Sequence, residues 1–274
     1  KRQGKIKASI NKCCYYLGFS RQAFYQWKDR EKQKEKYEAL ILERVVNIRL
    51  QQPRIGTRKL HHLLPKMGFS IGRDALFSLL KRHKMLVPTA KAYHKTTNSL
   101  HRFYKNQNLL ENLKVTAPEQ VWVADITYFP TCEGTSYINL ITDLFSRKIV
   151  GYDVSDNLKT EASARAYEMA LSQRTRTGIL RHHSDRGVQY CSDQYQKIHE
   201  THGILCSMTE GGNCYQNALA ERINGILKNE FLFIKPHNLE MAKKMVCQAI
   251  EVYNKRRPHL SLNYKTPDEV HRAL

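Results

Sequence analysis

The sequence predicts a mixed α/β domain preceded by an all-α, strongly basic front, and three observations support this. Residues 1–115 hold 26 Lys+Arg and 7 Asp+Glu, so 26 − 7 = +19, whereas residues 116–274 hold 19 and 18, so 19 − 18 = +1. Up to residue 88 the apolar residues recur at helical spacing. From residue 119 onward they come in short, β-rich runs interrupted by helical segments.

In the front, Ile10, Cys14 and Leu17 recur at helical spacing, "LGFS" breaks the run, and "RQAFYQW" follows with Ser20 as N-cap. Helix, Gly-containing turn and basic helix make a helix-turn-helix pattern, expected over residues 1–35. Arg21, Gln22, Tyr25, Gln26 and Lys28 supply the polar face of its second helix. The pattern recurs over residues 36–88, where "TRKLHHLL", the break "PKMGFS" and "IGRDALFSLLKRHKM" follow one another. Arg58, Lys59 and Arg73 are the candidate DNA contacts there. Gly-Phe-Ser stands before the second helix in both units, at 18–20 and 68–70. Residues 31–50 read as a charged helical connector, and residues 89–118 as a basic, Pro-bounded linker. Positive charge concentrated in this way is the footprint of a polyanion binder, nucleic acid above all.

The α/β domain is expected over residues 119–274. "VWVADITYF", "TSYINLITDLF" and "RKIVGYDVS" read as three strands joined by short hairpins. "TEASARAYEMALSQR" is a helix, and "ILRHHSD" a fourth strand. A helix near 192–202, a fifth strand "ILCSM" and long helices at about 216–231 and 239–256 complete it. Strands four and five need crossover connections, which the helices supply. Trp122 in the first strand reads as core.

Other classes fit poorly. The seven cysteines are odd in number and form no C-x-x-C pair, against a zinc finger or a disulfide framework. They read as reduced thiols. No apolar run approaches the ~18 residues of a membrane span, and "KRQGKIKASI" lacks the apolar core of a secretory signal.

The first strand carries a bare carboxylate, Asp125, in an apolar setting, where a charge needs a partner or a shifted pKa. Asp185 lies just past the fourth strand in "HHSDRGVQY". Glu221 lies in "QNALAERINGILKNE", where Asn217, Glu221, Asn224 and Lys228 form one polar helical stripe. Three carboxylates from two strands and a helix suit hard divalent cations. Two such ions could serve phosphoryl transfer. Asp143, Asp153 and Glu230 are rivals, and Asp143 reads as a turn residue. These considerations rank Asp125 and Asp185 highest and leave the third carboxylate open. His183, Arg186, Gln189 and Tyr190 surround Asp185 and either shape its loop or touch DNA. Arg256, Arg257 and His259 either contact DNA or cap the last long helix.

The ordered motifs "VWVADITYF", "ITDLFSRKIVGYDVS", "HHSDRGVQY", "GGNCYQNALAERINGILKNE" and "YNKRRPHLSLNYKTPDE" resemble the OrfB-type transposases of the insertion-sequence-three family, which share their core with retroviral integrases. The spacings 185 − 125 = 60 and 221 − 185 = 36 fit, and Lys228 falls seven residues after Glu221. The resemblance covers almost the full length. It implies an RNase H-like core with Asp125, Asp185 and Glu221 as catalytic, metal-binding triad, two Mg²⁺ ions replaceable by Mn²⁺, and Lys228 near the metals as a phosphate contact. It further implies nicking of the element's ends by water, then attack of the freed 3′-OH on another phosphodiester. The partners implied are double-stranded DNA (terminal inverted repeats and target), a homo-oligomer on DNA, and an upstream reading-frame product. The expected place is the bacterial cytoplasm, on the nucleoid. Two departures stand out: Gln216 replaces a common acidic residue, and the His and Cys zinc module of retroviral integrases is absent. A DNA-binding regulator with an inactive core is the alternative, and a simple RNase H-like nuclease a third reading.

Overall fold

A computed structural model describes residues 9–88, 105–111, 113–209 and 217–273. It divides into two compact units. One comprises Lys1–Leu50 and Gly56–Leu86, the other Gln51–Ile55 and Val87–Leu274.

The first unit is helical. Helix α1 (Ile10–Leu17) is capped by the Ser9 hydroxyl, which accepts from the Lys12 N–H, and ends at Gly18 with φ 72°. Helix α2 (Arg21–Gln51) starts where the Ser20 hydroxyl accepts from the Ala23 N–H at 3.0 Å. It runs unbroken through position 35, and the charged stretch 31–50 is helical as read, continuous with the basic helix before it. Its buried residues, Ile41, Val45 and Ile48, all fall in its second half. Helices α3 (Thr57–Lys66) and α4 (Arg73–Arg82) bury Leu60, Leu64, Leu76, Leu79 and Leu80. Both Gly-Phe-Ser tripeptides reverse the chain through a left-handed glycine, Gly18 at φ 72° and Gly68 at φ 84°. A side chain is strained in that conformation, which is why glycine serves there.

The second unit is built on a five-stranded sheet of order β3-β2-β1-β4-β5. Strands β1 (Val121–Thr131), β2 (Gly134–Asp143) and β3 (Ile149–Ser155) form antiparallel hairpins, as their short connections require. Strands β4 (Arg181–Ser184) and β5 (Leu205–Met208) add in parallel through helical crossovers. Helices α5 (Thr160–Ser172), α6 (Val188–Cys191) and α7 (Asp193–His202) supply them. The last elements are α8 (Ala218–Ile226), a π turn (Leu227–Phe231), α9 (Leu239–Arg256) and α10 (Pro267–Arg272). The helix read over 216–231 is thus an α-helix that changes to π winding at Leu227.

Alternation along β1 sorts its side chains between two layers. Trp122 and Ala124 pack with Tyr167, Tyr190 and Tyr195, and Trp122 is fully buried as core. Val121 and Val123 pack against Ala220 of α8, together with Leu110, Leu113 and Val115. The end of the segment read as a linker therefore belongs to this packing, while residues 89–104 lie outside those described. Phe129 packs with Ile223, Leu227 and α9 residues such as Val246.

Helix α5 crosses β3 at Gly151, where an added Cβ would lie 2.1 Å from the Ala166 carbonyl oxygen and 2.9 Å from the Ala170 nitrogen. Both are backbone atoms and cannot rotate away. Gly151→Ala is expected to cost about 3 kcal/mol of stability. A thermal melt of the purified variant checks this, and an unchanged melting temperature would contradict the close packing of α5 on β3.

Candidate active site

Strand register brings the first two carboxylates together. In the parallel pair β1–β4, Val121, Trp122 and Val123 face Arg181, His182 and His183, an offset of 60 residues. Carried two residues further, the same offset sets Asp125 against Asp185. Neighbouring strands lie about 4.8 Å apart. Pairing stops at Val123, because β4 ends at Ser184, so both carboxylates stand where the sheet opens. The same opening explains how β1 tolerates Pro130: it pairs with Thr135 on β2 and has no ladder partner on the β4 side.

By alternation Asp125 shares the face of Val121 and Val123, the face toward α8. Two asparagines fasten α8 to β1 there. Asn224 Nδ2 donates to Asp125 Oδ2 at 2.6 Å, and Asn217 Nδ2 donates to the Ala124 carbonyl at 3.1 Å. The polar stripe of α8 thus faces the carboxylate strand. The stripe is legible in the sequence, but its role as a clasp on β1 is not.

Burial and the nearby Asp185 push the Asp125 carboxyl up to about 7. The Asn224 amide and the Ile126 N–H pull the other way, and Glu221 adds to the rise. Asp185 Oδ1 accepts from the Gly187 N–H at 3.0 Å, which fixes the turn after β4. Glu221 is exposed on the first turn of α8. Its charge reaches Asp125, yet among the described residues no three His, Cys, Asp or Glu side chains converge as a ready ligand set. Lys228 lies in the π turn, half-buried. Burial lowers its ammonium pKa to about 8, and the Asp125 charge opposes that shift.

The rival carboxylates all have other partners. Asp143 accepts from the Ser146 N–H and hydroxyl at 2.7 and 2.8 Å and from the Glu119 N–H at 2.7 Å, which makes it the turn residue expected. Asp153 pairs with Arg165 at 2.8 Å, and Glu230 with Arg257 at 2.6 Å. The open alternatives around Asp185 resolve toward structure at three positions. His183 Nδ1 meets the Ser207 hydroxyl at 2.8 Å, Gln189 donates to the Leu158 carbonyl at 2.8 Å, and Tyr190 is buried in the core. Arg257 and His259 are also buried. Arg186 follows Asp185 in the same turn.

The remaining candidates lie in the first unit. Arg21, Gln22, Tyr25 and Lys28 are exposed on the first two turns of α2, Arg58 is exposed and Lys59 half-buried on α3. Arg73, at the start of α4, forms a forked pair with Asp74 at 2.8 and 3.2 Å.

Asp125 and Asp185 offer only oxygen donors, and Glu221 would extend the same chemistry. The buried carbonyl oxygens of Asn217 and Asn224, without hydrogen-bond partners among the described residues, are further acceptors. An all-oxygen set with clustered negative charge fits a hard divalent cation.

Comparison with known proteins bears on the fold and the family. Residues 115–214 match a family model described as an integrase core domain, and residues 202–267 match a second of the same description. The chain is 39% identical over 261 residues to an insertion element IS600 uncharacterized 31 kDa protein of Shigella sonnei, covering 93% of this chain and 95% of the relative. It is 30% identical over 249 residues to the transposase for insertion sequence element IS904 of Lactococcus lactis, covering 89% and 95%. It is 28% identical over 274 residues to transposase InsF for insertion sequence IS3A of Escherichia coli, covering 95% and 93%. Among solved structures, a chain of the simian T-cell lymphotropic virus intasome in complex with PP2A regulatory subunit B56 gamma shares the fold. The TM-score is 0.51 at 17% identity, over 80% of this chain and 71% of that one. With its RNase H-like sheet, its paired aspartates and these relatives, the chain belongs to the insertion-sequence-three family of transposases, polynucleotidyl transferases with an integrase-like core.

Proposed function

We propose that the chain nicks the ends of an insertion sequence and joins them to new DNA by metal-dependent phosphodiester chemistry. Water adds across one P–O bond and frees a 3′-OH. That hydroxyl then attacks a second phosphodiester, forming a new 3′-O–P bond and releasing the target's own 3′-OH. The observation that carries this reading is the β1–β4 register, which sets Asp125 against Asp185 where the sheet opens.

Asp125 and Asp185 would hold the cation, with Glu221 as third carboxylate. Two Mg²⁺ ions, replaceable by Mn²⁺, would supply activation of the attacking oxygen and stabilisation of the leaving one. Asn224 restrains the Asp125 carboxylate by its 2.6 Å hydrogen bond. The Lys228 ammonium would hold a phosphate oxygen of the DNA, and Arg186 would approach the backbone beside Asp185.

Arg21, Gln22, Tyr25, Lys28, Arg58, Lys59 and Arg73 are proposed to bind the terminal repeats through two helix-turn-helix units, spanning 1–35 and 36–88. Residues 89–118 would link these to the core over 119–274. Joining two ends calls for a homo-oligomer on DNA, and an upstream reading-frame product is a further proposed partner. The proposed place of action is the cytoplasm, on the nucleoid. Among the described residues no helix is long and apolar enough to cross a membrane.

A gel-shift and cleavage assay on a terminal-repeat fragment tests this. Binding with Mg²⁺-dependent nicking is the result expected. Binding with no cleavage in Mg²⁺ or Mn²⁺ would instead indicate a regulator with an inactive core. The charge excess of the front also predicts a steep salt response. Affinity should fall about 10³-fold between roughly 50 and 200 mM salt as counterions are reacquired, and a flat fluorescence-anisotropy response would contradict docking through the front.

A further inference from the structure

The turn that carries Lys228 is a π turn, a winding that is rare and frequently found at functional sites. Leu232 N–H bonds to the Leu227 carbonyl at 2.8 Å, the five-residue step that defines it. Such local departures persist where surrounding contacts over-determine them. Here two arginines, neither on α8, grip the two residues that follow Lys228. Arg257, at the end of α9, forks onto Glu230 at 2.6 and 2.8 Å and is buried. Arg54, in the Gln51–Ile55 segment of the second unit, donates from Nη1 to the Asn229 carbonyl at 3.4 Å, and its guanidinium lies 4.0 Å from the Phe233 ring centre. One arginine fixes a side chain of the turn and the other its backbone.

We infer that Arg54 and Arg257 are positioning residues that hold the π turn so that Lys228 stays directed at Asp125. None of these contacts involves Asp125, Asp185 or Glu221. Each acts through the residues next to Lys228. A guanidinium suits both tasks, because it forks onto a carboxylate and stacks on a ring, which an ammonium cannot do. The inference rests on the proposed strand chemistry for its effect on rate. Its geometric content is independent of that chemistry.

The test has two arms, so that failure of the clamp and failure of the proposed function are distinguishable. In the first, the metal-free, DNA-free chain is treated with a water-soluble carbodiimide, and amide cross-links between lysines and carboxylates are quantified by mass spectrometry. The ion pair Lys148–Asp268, at 2.9 Å, is the internal control. Arg54→Ala is expected to lower the Lys228–Asp125 link at least about threefold relative to that control, because the turn is no longer held in place. Arg257→Lys, which keeps the charge but loses the fork, should do the same. In the second arm, Arg54→Ala should slow nicking about tenfold in the unmodified background and less than about twofold when Lys228→Ala is already present. An unchanged link ratio, no Lys228–Asp125 link in the starting chain, or additive rate losses would each overturn the inference. If the starting chain does not nick at all, the proposed function fails while the cross-link ratio still decides the clamp.

Discussion

Asp125→Asn is expected to reduce Mg²⁺-dependent nicking of a terminal-repeat substrate by at least about 10³-fold, or ~4 kcal/mol in the barrier. The substitution keeps size and shape, and its amide oxygen can still accept from Asn224. It removes the negative charge that faces Asp185 across the register. DNA binding should stay within about twofold, since loss of an anion does not weaken attraction to phosphate and the candidate DNA contacts of the front are untouched. Single-turnover cleavage and a gel shift on the same preparation separate the two effects. A variant that nicks at more than about a tenth of the starting rate would remove Asp125 from the chemistry.

The same residue should govern how stability depends on pH in the metal-free, DNA-free chain. Folding raises the Asp125 carboxyl to about 7, against about 3.9 in an unfolded chain. Below pH ~4 both states hold the proton and the residue contributes no slope. Between about 4 and about 7 the unfolded chain ionises while the folded one stays protonated, so the folded state loses stability as pH rises. Above about 7 the full penalty, on the order of 4 kcal/mol, is in place. Asp125→Asn should remove this loss, leaving a variant more stable than the parent near pH 8 and similar to it near pH 4. Urea unfolding at the two pH values measures it, and parallel pH profiles for parent and variant would contradict the buried, repelled carboxylate. A divalent cation that binds only the folded parent should restore its stability by mass action.

Asp125 and Asp185 stand out in the sequence as carboxylates in, or just past, apolar strands, but the pairing that makes them neighbours does not. The 60 residues between them match the offset that pairs Val121 with Arg181, which only the folded sheet shows. The five strands are legible because their β-rich apolar runs are short and bounded by turn residues. Asp143 reads correctly as a turn residue because Ser146 and Arg147 follow it.

Other features depend on partners far away in the chain. Nothing in "NGILKNEF" signals a π turn, since its residues suit an α-helix, and its winding is accompanied by contacts from Arg54 and Arg257. The stripe of Asn217 and Asn224 is visible, but that it clasps β1 follows only from the packing of α8 on that strand. Glu230, nine residues after Glu221, falls on another helix face in the sequence, and its pairing with Arg257 gives it a separate partner. Glu221 is exposed on the first turn of α8, so no apolar setting marks it in the sequence as Asp125 is marked. Residues 31–50 read as helical, but nothing in the sequence shows that they continue the basic helix starting at Arg21 without a break.

One carboxylate site is proposed to perform both hydrolysis and strand transfer. A joining assay with a terminal-repeat DNA already carrying its free 3′-OH tests it most directly, because nicking is bypassed. The parent chain should join that end to target DNA in Mg²⁺, and Asp125→Asn and Asp185→Asn should yield no joined product while still binding the DNA. Joining by either variant at the parent's rate would place strand transfer at a different site.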